Sequence, residues 1–169
     1  MSLICGVVSA GIVALIWAQR NPHPLAADFR ADKVLVEKGA RRLSLMKDGR
    51  VVKSYRVALG KSPVGQKERE GDKRTPEGKY VIDRHNAQSG FHKALHVSYP
   101  NAEQQARAAK AGIDPGGDIM IHGLRNRLGW MGAAHRMRDW TAGCIAVTDA
   151  EVDEIFRAVA DGTEIEIVP

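Results

Sequence analysis

The chain has 169 residues and a net charge of +5, from 25 Lys and Arg against 20 Asp and Glu. Hydrophobic residues make up 44% and charged residues 27%, a balance that fits one globular domain and excludes a disordered chain or a polytopic membrane protein. The low aromatic content of 5% and the mixed charges predict no nucleic-acid partner, and two cysteines exclude a disulfide-stapled miniprotein.

The N-terminus, residues 1–20, predicts a signal peptide or a membrane anchor. Residues 3–18 are apolar or small and include no Lys, Arg, Asp or Glu. Such a run forms a hydrophobic helix that either directs export or stays in the inner membrane and contacts lipid; a buried core helix is the alternative. We therefore expect a periplasmic or cell-envelope protein. Residues 21–31, which contain two prolines, are expected to form a linker.

The following part, residues 32–168, is predicted to be one mainly β (α+β) domain. An apolar strand starts at residues 34–36, and polar and apolar residues alternate over 42–47. Residues 51–57 return as a further strand, and the turn Asp48-Gly49 joins these last two as a hairpin. A charged loop over 60–79 leads to further strands near 79–83 and 95–99. Short strands over 119–121 and 164–168 complete the set.

Two helices are predicted among these strands. Asn101 is a suitable N-cap for the first helix, which Gly112 ends. The second begins at Thr148, where Glu151 has the spacing of a capping box, and an apolar stripe runs toward Gly162. This second helix directly follows a segment that contains Cys144.

A histidine and a cysteine stand out as candidates for nucleophilic catalysis. His122 ends a short apolar strand, and Cys144 follows the flexible Gly143 at a turn. An imidazole beside a thiol raises the thiolate fraction, and backbone N–H groups at the turn could stabilise an oxyanion. Residues 119–138 contain four arginines and no carboxylate, so we also expect a positive field that favours a thiolate. On spacing alone, a buried and inert cysteine remains an alternative.

The order of three motifs resembles the L,D-transpeptidase (YkuD) family, in particular its short YafK-like branch. The motifs are Thr75-Pro76-Glu77-Gly78, then Ile121-His122-Gly123, then Thr141-Ala142-Gly143-Cys144-Ile145. The resemblance covers roughly residues 32–168. It implies a YkuD-like β-sandwich or barrel with a helix after the cysteine segment. It also implies an acyl-transfer enzyme that acts on peptidoglycan stem peptides and needs no metal or organic cofactor.

The resemblance also implies roles for individual residues. Cys144 would be the nucleophile and His122 the general base, with Gly143 near the oxyanion. The reaction would form a thioester on Cys144 and then a 3–3 crosslink to the amine of a second stem. Substrate contacts are assigned to these residues: Gly123, Arg125, His135, Trp140 and Thr141.

The chain departs from the family pattern on both sides of the cysteine. Ala142 stands where many members have His, and Ile145-Ala146-Val147 stands where many have Arg or Asn. Two other functions therefore stay open: a peptidoglycan amide hydrolase with the same site, and a non-catalytic peptidoglycan-binding domain. A zinc site formed by His122, His135 and Cys144 is disfavoured, because a metal would block the nucleophile. The sequence leaves the oligomeric state undetermined.

Overall fold

The computed structural model describes residues 23–169. The predicted N-terminal signal or anchor, residues 1–20, lies outside the described residues. Within residues 23–169, no helix is both long and apolar enough to cross a membrane.

Eight strands and two α-helices make up the described domain, which confirms the mainly β prediction. The strands are β1 (Lys33–Glu37), β2 (Arg42–Lys47), β3 (Arg50–Arg56), β4 (Gly78–Ser89), β5 (His92–Val97), β6 (Met120–His122), β7 (Ile145–Ala146) and β8 (Glu164–Val168). The helices are α1 (Ala102–Ala111) and α2 (Asp149–Ala158), and a 3₁₀ segment spans Gly129–Met137.

The strands form a sheet with the order β3-β2-β1-β8-β4-β5-β6-β7. β1 pairs with β8, and β6 with β7, in parallel; the other neighbours are antiparallel. The backbone that follows β3 lies along β7, the strand at the opposite edge of the sheet. Ala58 bridges Ala146 of β7, and Gly60 bridges Thr141. The continuation of one edge strand therefore closes the sheet against the other edge strand, as in a barrel.

Alternating side chains place the hydrophobic core inside this sheet. Val34 and Val36 of β1 and Ile165 of β8 are fully buried, whereas the intervening residues reach the surface. Val152 and Ile155 of α2 pack into the same core. The helix thus covers the sheet directly behind the segment that carries Cys144.

Both predicted helix starts are confirmed. Asn101 and Gln104 form a reciprocal capping box at α1, and Thr148 and Glu151 form another at α2. Gly112 ends α1 in the left-handed conformation, as expected. Helix α2 ends earlier than Gly162, at Ala158, because the backbone becomes extended at the next residue.

Two elements differ from the sequence prediction. β4 runs on to Ser89 and β5 starts at His92, so this hairpin is longer than the apolar pattern indicates. Its outer part pairs through exposed polar residues, which carry no alternating signal. Residues 23–31, expected to be a linker, lie against the domain: Leu25 and Phe29 pack on the core, and Ala31 N–H donates to Ala158 O at 2.8 Å.

Candidate active site

The strands β6 and β7 bring His122 and Cys144 to one face of the sheet. Ile121 pairs with Ile145, and His122 pairs with Ala146. Both isoleucines are fully buried. Extending this register by one residue places Cys144 opposite Met120, two residues before His122. Because successive residues of a strand point to opposite faces, the backbone positions of His122 and Cys144 share the face opposite the isoleucines.

The imidazole of His122 is buried and held in one tautomer. Its Nδ1 lies 2.6 Å from the carbonyl oxygen of Gly123, so Nδ1 donates and Nε2 keeps its lone pair. Only 4% of the residue is exposed. Burial lowers the pKa of His122, and the bond to Gly123 only partly opposes this. The ring is therefore neutral near pH 7, with Nε2 as its basic atom.

The Cys144 thiol is free and half-buried at the wall of a cavity. Its Sγ donates to the carbonyl oxygen of Asp118 at 3.4 Å. This thiol cavity has a volume of about 360 Å³, and its other lining residues are Lys67, Glu70, Gly71, Gly116, Gly117, Asp118, Ile119 and Ala142. A small substrate segment could thus reach the sulfur from this side.

The prediction that arginines of residues 119–138 create a positive field at the thiol is wrong. Burial raises the pKa of Cys144, and the Asp118 carboxylate raises it further; the Met120 backbone N–H and the Lys67 ammonium oppose this only in part. The arginines lie elsewhere: Arg136 pairs with Glu151, and Arg125 borders a different cavity. The free site therefore holds a neutral thiol rather than a preformed thiolate.

A tight turn fixes the backbone before Cys144. The Thr141 hydroxyl accepts the Gly143 N–H at 3.1 Å and donates to the Cys144 carbonyl at 2.7 Å. Gly143 has a φ of +142°, and a Cβ there would lie 2.8 Å from the Arg74 carbonyl oxygen. Thr141 is buried and serves the turn. The Gly143 N–H, which the sequence placed at the oxyanion, is engaged inside the turn.

Gly123 lies behind the imidazole, where its carbonyl orients the ring. Its predicted role was substrate contact, but the residue is buried, and a Cβ would lie 2.7 Å from Asp149 Oδ1. The same Oδ1 accepts the Leu124 N–H at 2.8 Å. Asp149, in the first turn of α2, therefore anchors the backbone that follows His122.

A second cavity is lined by aromatic rings that contact His122. This ring-side cavity has a volume of about 670 Å³, and it is lined by Phe91, Leu124, Arg125, Leu128, Met131, Ala134, His135, Met137, Arg138 and Trp140. The centroid of the His122 ring lies 4.6 Å from that of Phe91 and 5.8 Å from that of Trp140. Three predicted substrate contacts, Arg125, His135 and Trp140, therefore line one cavity.

His135 is a buried, neutral member of this wall rather than an exposed loop residue. Only 5% of it is exposed, and its Nδ1 accepts the Trp140 Nε1–H at 3.3 Å. Burial, followed by repulsion from the Arg136 guanidinium and, at low pH, from protonated His122, lowers the pKa of His135 to about 4. Trp130, the other tryptophan between His122 and Cys144, is 63% exposed. Residues 23–169 contain no cluster of three or more His, Cys, Asp or Glu side chains able to hold a metal.

Four residues near the site were not found from the sequence. Phe91 contacts His122, Asp149 anchors the next backbone segment, and Asp118 accepts from the thiol. Lys67, which is buried and bonded to Asp72 at 2.9 Å, lines the thiol cavity. None of them belongs to a motif. Lys67 alone has an unusual property, its burial within a charged loop, and burial cannot be read from a sequence.

Comparison with known proteins assigns the domain. The family model described as L,D-transpeptidase catalytic domain (YkuD) matches residues 31–167. The Escherichia coli K12 protein YafK is 31% identical over 108 residues, which are 63% of this chain and 36% of that protein. The chain thus matches about a third of this relative's length.

Solved structures share the fold. The helical cell shape determining protein Pgp2 from Campylobacter jejuni superimposes with a TM-score of 0.62 at 24% identity, over 83% of this chain and 48% of that one. An L,D-transpeptidase from Mycobacterium smegmatis gives 0.53 at 13% identity, over 81% of this chain and 58% of that one. At these identities the likeness concerns the fold alone.

Proposed function

The chain belongs to the L,D-transpeptidase catalytic domain (YkuD) family, and from this premise we propose that it is a cysteine acyltransferase of peptidoglycan stem peptides. It forms 3–3 crosslinks in cell-wall biogenesis through a thioester on Cys144. His122 is the general base and acid. The proposed catalytic domain spans residues 32–168 and works in the periplasm or cell envelope.

One observation carries the proposal. The Cys144 thiol lines a cavity and lies diagonally across a parallel strand pair from His122, whose Nε2 is left basic by the bond from Nδ1 to Gly123. A general base needs a fixed tautomer with an open nitrogen on the same face as the thiol, and the strand register supports that placement. A binding domain has no use for it.

The proposed first half-reaction starts from a neutral pair. The Cys144 thiol gives its proton to His122 Nε2 as the sulfur bonds to the carbonyl carbon of the third stem residue. The amide C–N bond then breaks, the departing D-alanine nitrogen takes the proton from Nε2, and the thioester remains. Because burial lowers the pKa of His122 and raises the pKa of Cys144, the pair rests in its neutral form, and the proton has to pass from sulfur to Nε2 during the reaction.

The second half-reaction returns the site to its starting state. The side-chain amine of a neighbouring stem attacks the thioester carbonyl and loses a proton to His122 Nε2. The C–S bond breaks, and Cys144 recovers that proton. The Met120 backbone N–H, which favours the charged sulfur, assists its departure.

The test is mass spectrometry of disaccharide-tetrapeptide incubated with the full chain. We expect 3–3 dimers and an adduct on Cys144, and neither with Cys144→Ala. Cys5→Ala is the matched control, since it removes the other cysteine and lies outside the described residues. Tripeptide without dimers would replace transfer by hydrolysis, and unchanged tetrapeptide would overturn the enzymatic proposal.

A further inference from the structure

Apolar side chains are exposed along residues 125–138, which we call the rim segment. Trp130 is 63% exposed, Met137 89% and Leu128 39%. Within residues 23–169, eight large hydrophobic side chains are exposed, and three of them lie between positions 128 and 137. Because exposed apolar side chains that cluster on one segment mark a contact surface, the rim segment is expected to meet a ligand or a partner.

The rim segment is also positively charged. It contains four arginines and no carboxylate. Arg127 is exposed, and within residues 23–169 its guanidinium has neither a hydrogen bond nor an ion pair. Its φ of +73° lies in the left-handed region, which strains a residue other than glycine. A strained, exposed arginine without a partner does not stabilise the fold, so its side chain is available to a ligand.

Three contacts hold the rim segment in place. Asn126 Nδ2 donates to the Ser89 carbonyl oxygen at 3.2 Å, which ties the start of the segment to the end of β4. Gly129 packs so closely on Asp149 that a Cβ would collide with its carboxylate. Arg136 forms an ion pair with the first turn of α2. A surface that is already ordered loses little conformational entropy when it binds.

The rim segment borders the mouth of the ring-side cavity. Leu128 and Met137 are exposed and also line that cavity, and two rings of the cavity wall contact His122. A stem of four residues spans at most about 14 Å when it is fully extended. The sugar that carries a stem bound beside His122 is therefore held near the rim segment.

We propose that the rim segment binds the glycan strand of peptidoglycan, with Trp130 stacked on a sugar ring and Arg127 paired with a carboxylate of the same polymer. This inference rests on the proposed function. The C–H face of a sugar ring is apolar and its edge carries hydroxyl groups, so it suits an indole that has an apolar body and an N–H donor. The exposed guanidinium supplies a bidentate partner for a carboxylate.

A glycan fits this surface better than a bilayer does. An anionic bilayer surface also attracts tryptophan and arginine side chains. A bilayer lying on Trp130 and Met137 would, however, cover the mouth of the ring-side cavity and exclude the stems of the wall. A glycan strand is narrow, passes beside the mouth and brings the stems with it. The net charge of +5 also suits a polymer that carries carboxylates.

The first experiment measures binding without turnover. The full-length Cys144→Ala protein is titrated calorimetrically with peptide-free glycan strands, which have free lactyl carboxylates, and with chitin oligomers of the same length, which have none. Adding Trp130→Ala is expected to weaken binding of both probes at least about fivefold. Adding Arg127→Gly should weaken binding of the charged strands alone, by about two- to fivefold.

Controls separate this effect from a loss of folding. Arg127→Gly relieves the backbone strain, so its thermal unfolding midpoint should not fall although binding weakens. Val51→Ala and Arg50→Ala replace an exposed apolar and an exposed charged residue of β3, and neither should alter binding of either probe.

The second experiment measures turnover by the wild type. Disaccharide-tetrapeptide is expected to acylate Cys144 at least about fivefold faster than the free tetrapeptide at equal low concentration. Trp130→Ala should bring this ratio close to one, whereas Val51→Ala should leave it unchanged.

Two results would overturn the inference. One is glycan binding that Trp130→Ala does not weaken. The other is a Trp130→Ala protein that loses binding to anionic phospholipid vesicles but keeps its binding to glycan, since the surface would then belong to a membrane. Absence of a thioester with every donor, together with glycan binding that still depends on Trp130, would instead overturn the proposed function.

Discussion

The two cavities near Cys144 and His122 are built differently. On the thiol side, the cavity is polar and contains Lys67, Glu70 and Asp118, and a buried turn holds the backbone. On the ring side, the cavity is larger and apolar, with aromatic rings against the imidazole. Yet burial drives both reactive groups toward their neutral forms. The two cavities thus differ in size and polarity, although the groups beside them are both held neutral.

The largest effect is expected from His122→Gln, which removes the proposed general base. Glutamine can still donate to the Gly123 carbonyl, but it cannot accept the thiol proton. We expect the rate of acylation of Cys144 to fall by about 10²–10⁴-fold. The measurement is the rate of adduct formation by mass spectrometry. His85→Gln, on β4, is the control; a similar loss there would contradict a specific role for His122.

The thiol side is expected to be rigid, and Gly143→Ala tests this. The new Cβ would lie 2.8 Å from the Arg74 backbone oxygen at a φ of +142°, so the turn must distort. We expect the free energy of unfolding to fall by about 2–3 kcal/mol, together with a loss of acylation. Urea titration measures the stability. Gly90→Ala, where nothing lies within 4 Å, should change it by less than about 1 kcal/mol.

A smaller effect is expected from Thr141→Val, which keeps the shape of the side chain. The Gly143 N–H loses its acceptor and the Cys144 carbonyl loses its donor, at a cost of about 1–3 kcal/mol. Acylation should fall as well. Thr148→Val removes the N-cap of α2 at a cost of about 1 kcal/mol and should leave acylation unchanged. If both variants acylate equally, the turn does not position the sulfur.

The dependence of kcat/KM on pH reports the protonation of both His122 and Cys144, and it is expected to show the smallest effect. Burial lowers the pKa of His122 and raises that of Cys144, so the neutral pair persists over a wider range than the ordinary values of 6.5 and 9.0 define. As pH falls through 6.5, kcat/KM should therefore stay constant and decline only below it. Iodoacetamide should modify the free protein at pH 7 more slowly than free cysteine. A decline centred above 6.5 would contradict the neutral pair.

Local patterns predicted much of the fold correctly. The Asp48-Gly49 hairpin and the capping boxes at Asn101 and Thr148 depend on residues close in sequence, so their spacing contains the necessary information. The polar end of β4 was missed, because its pairing with β5 stabilises residues that lack an apolar alternation. Closure of the sheet by Ala58 against Ala146 was also not foreseen, since it joins distant segments.

The sequence by itself determined the family, the strand that carries His122 and the glycine turn before Cys144, because these are properties of short contiguous segments. The tertiary structure decided which charges surround the sulfur. None of the four arginines in residues 119–138 lines the thiol cavity, whereas Asp118 and Lys67 do. It also folded residues 124–140 against Phe91 to form the ring-side cavity. Burial and electrostatic fields depend on distance in space, and only the folded chain sets those distances.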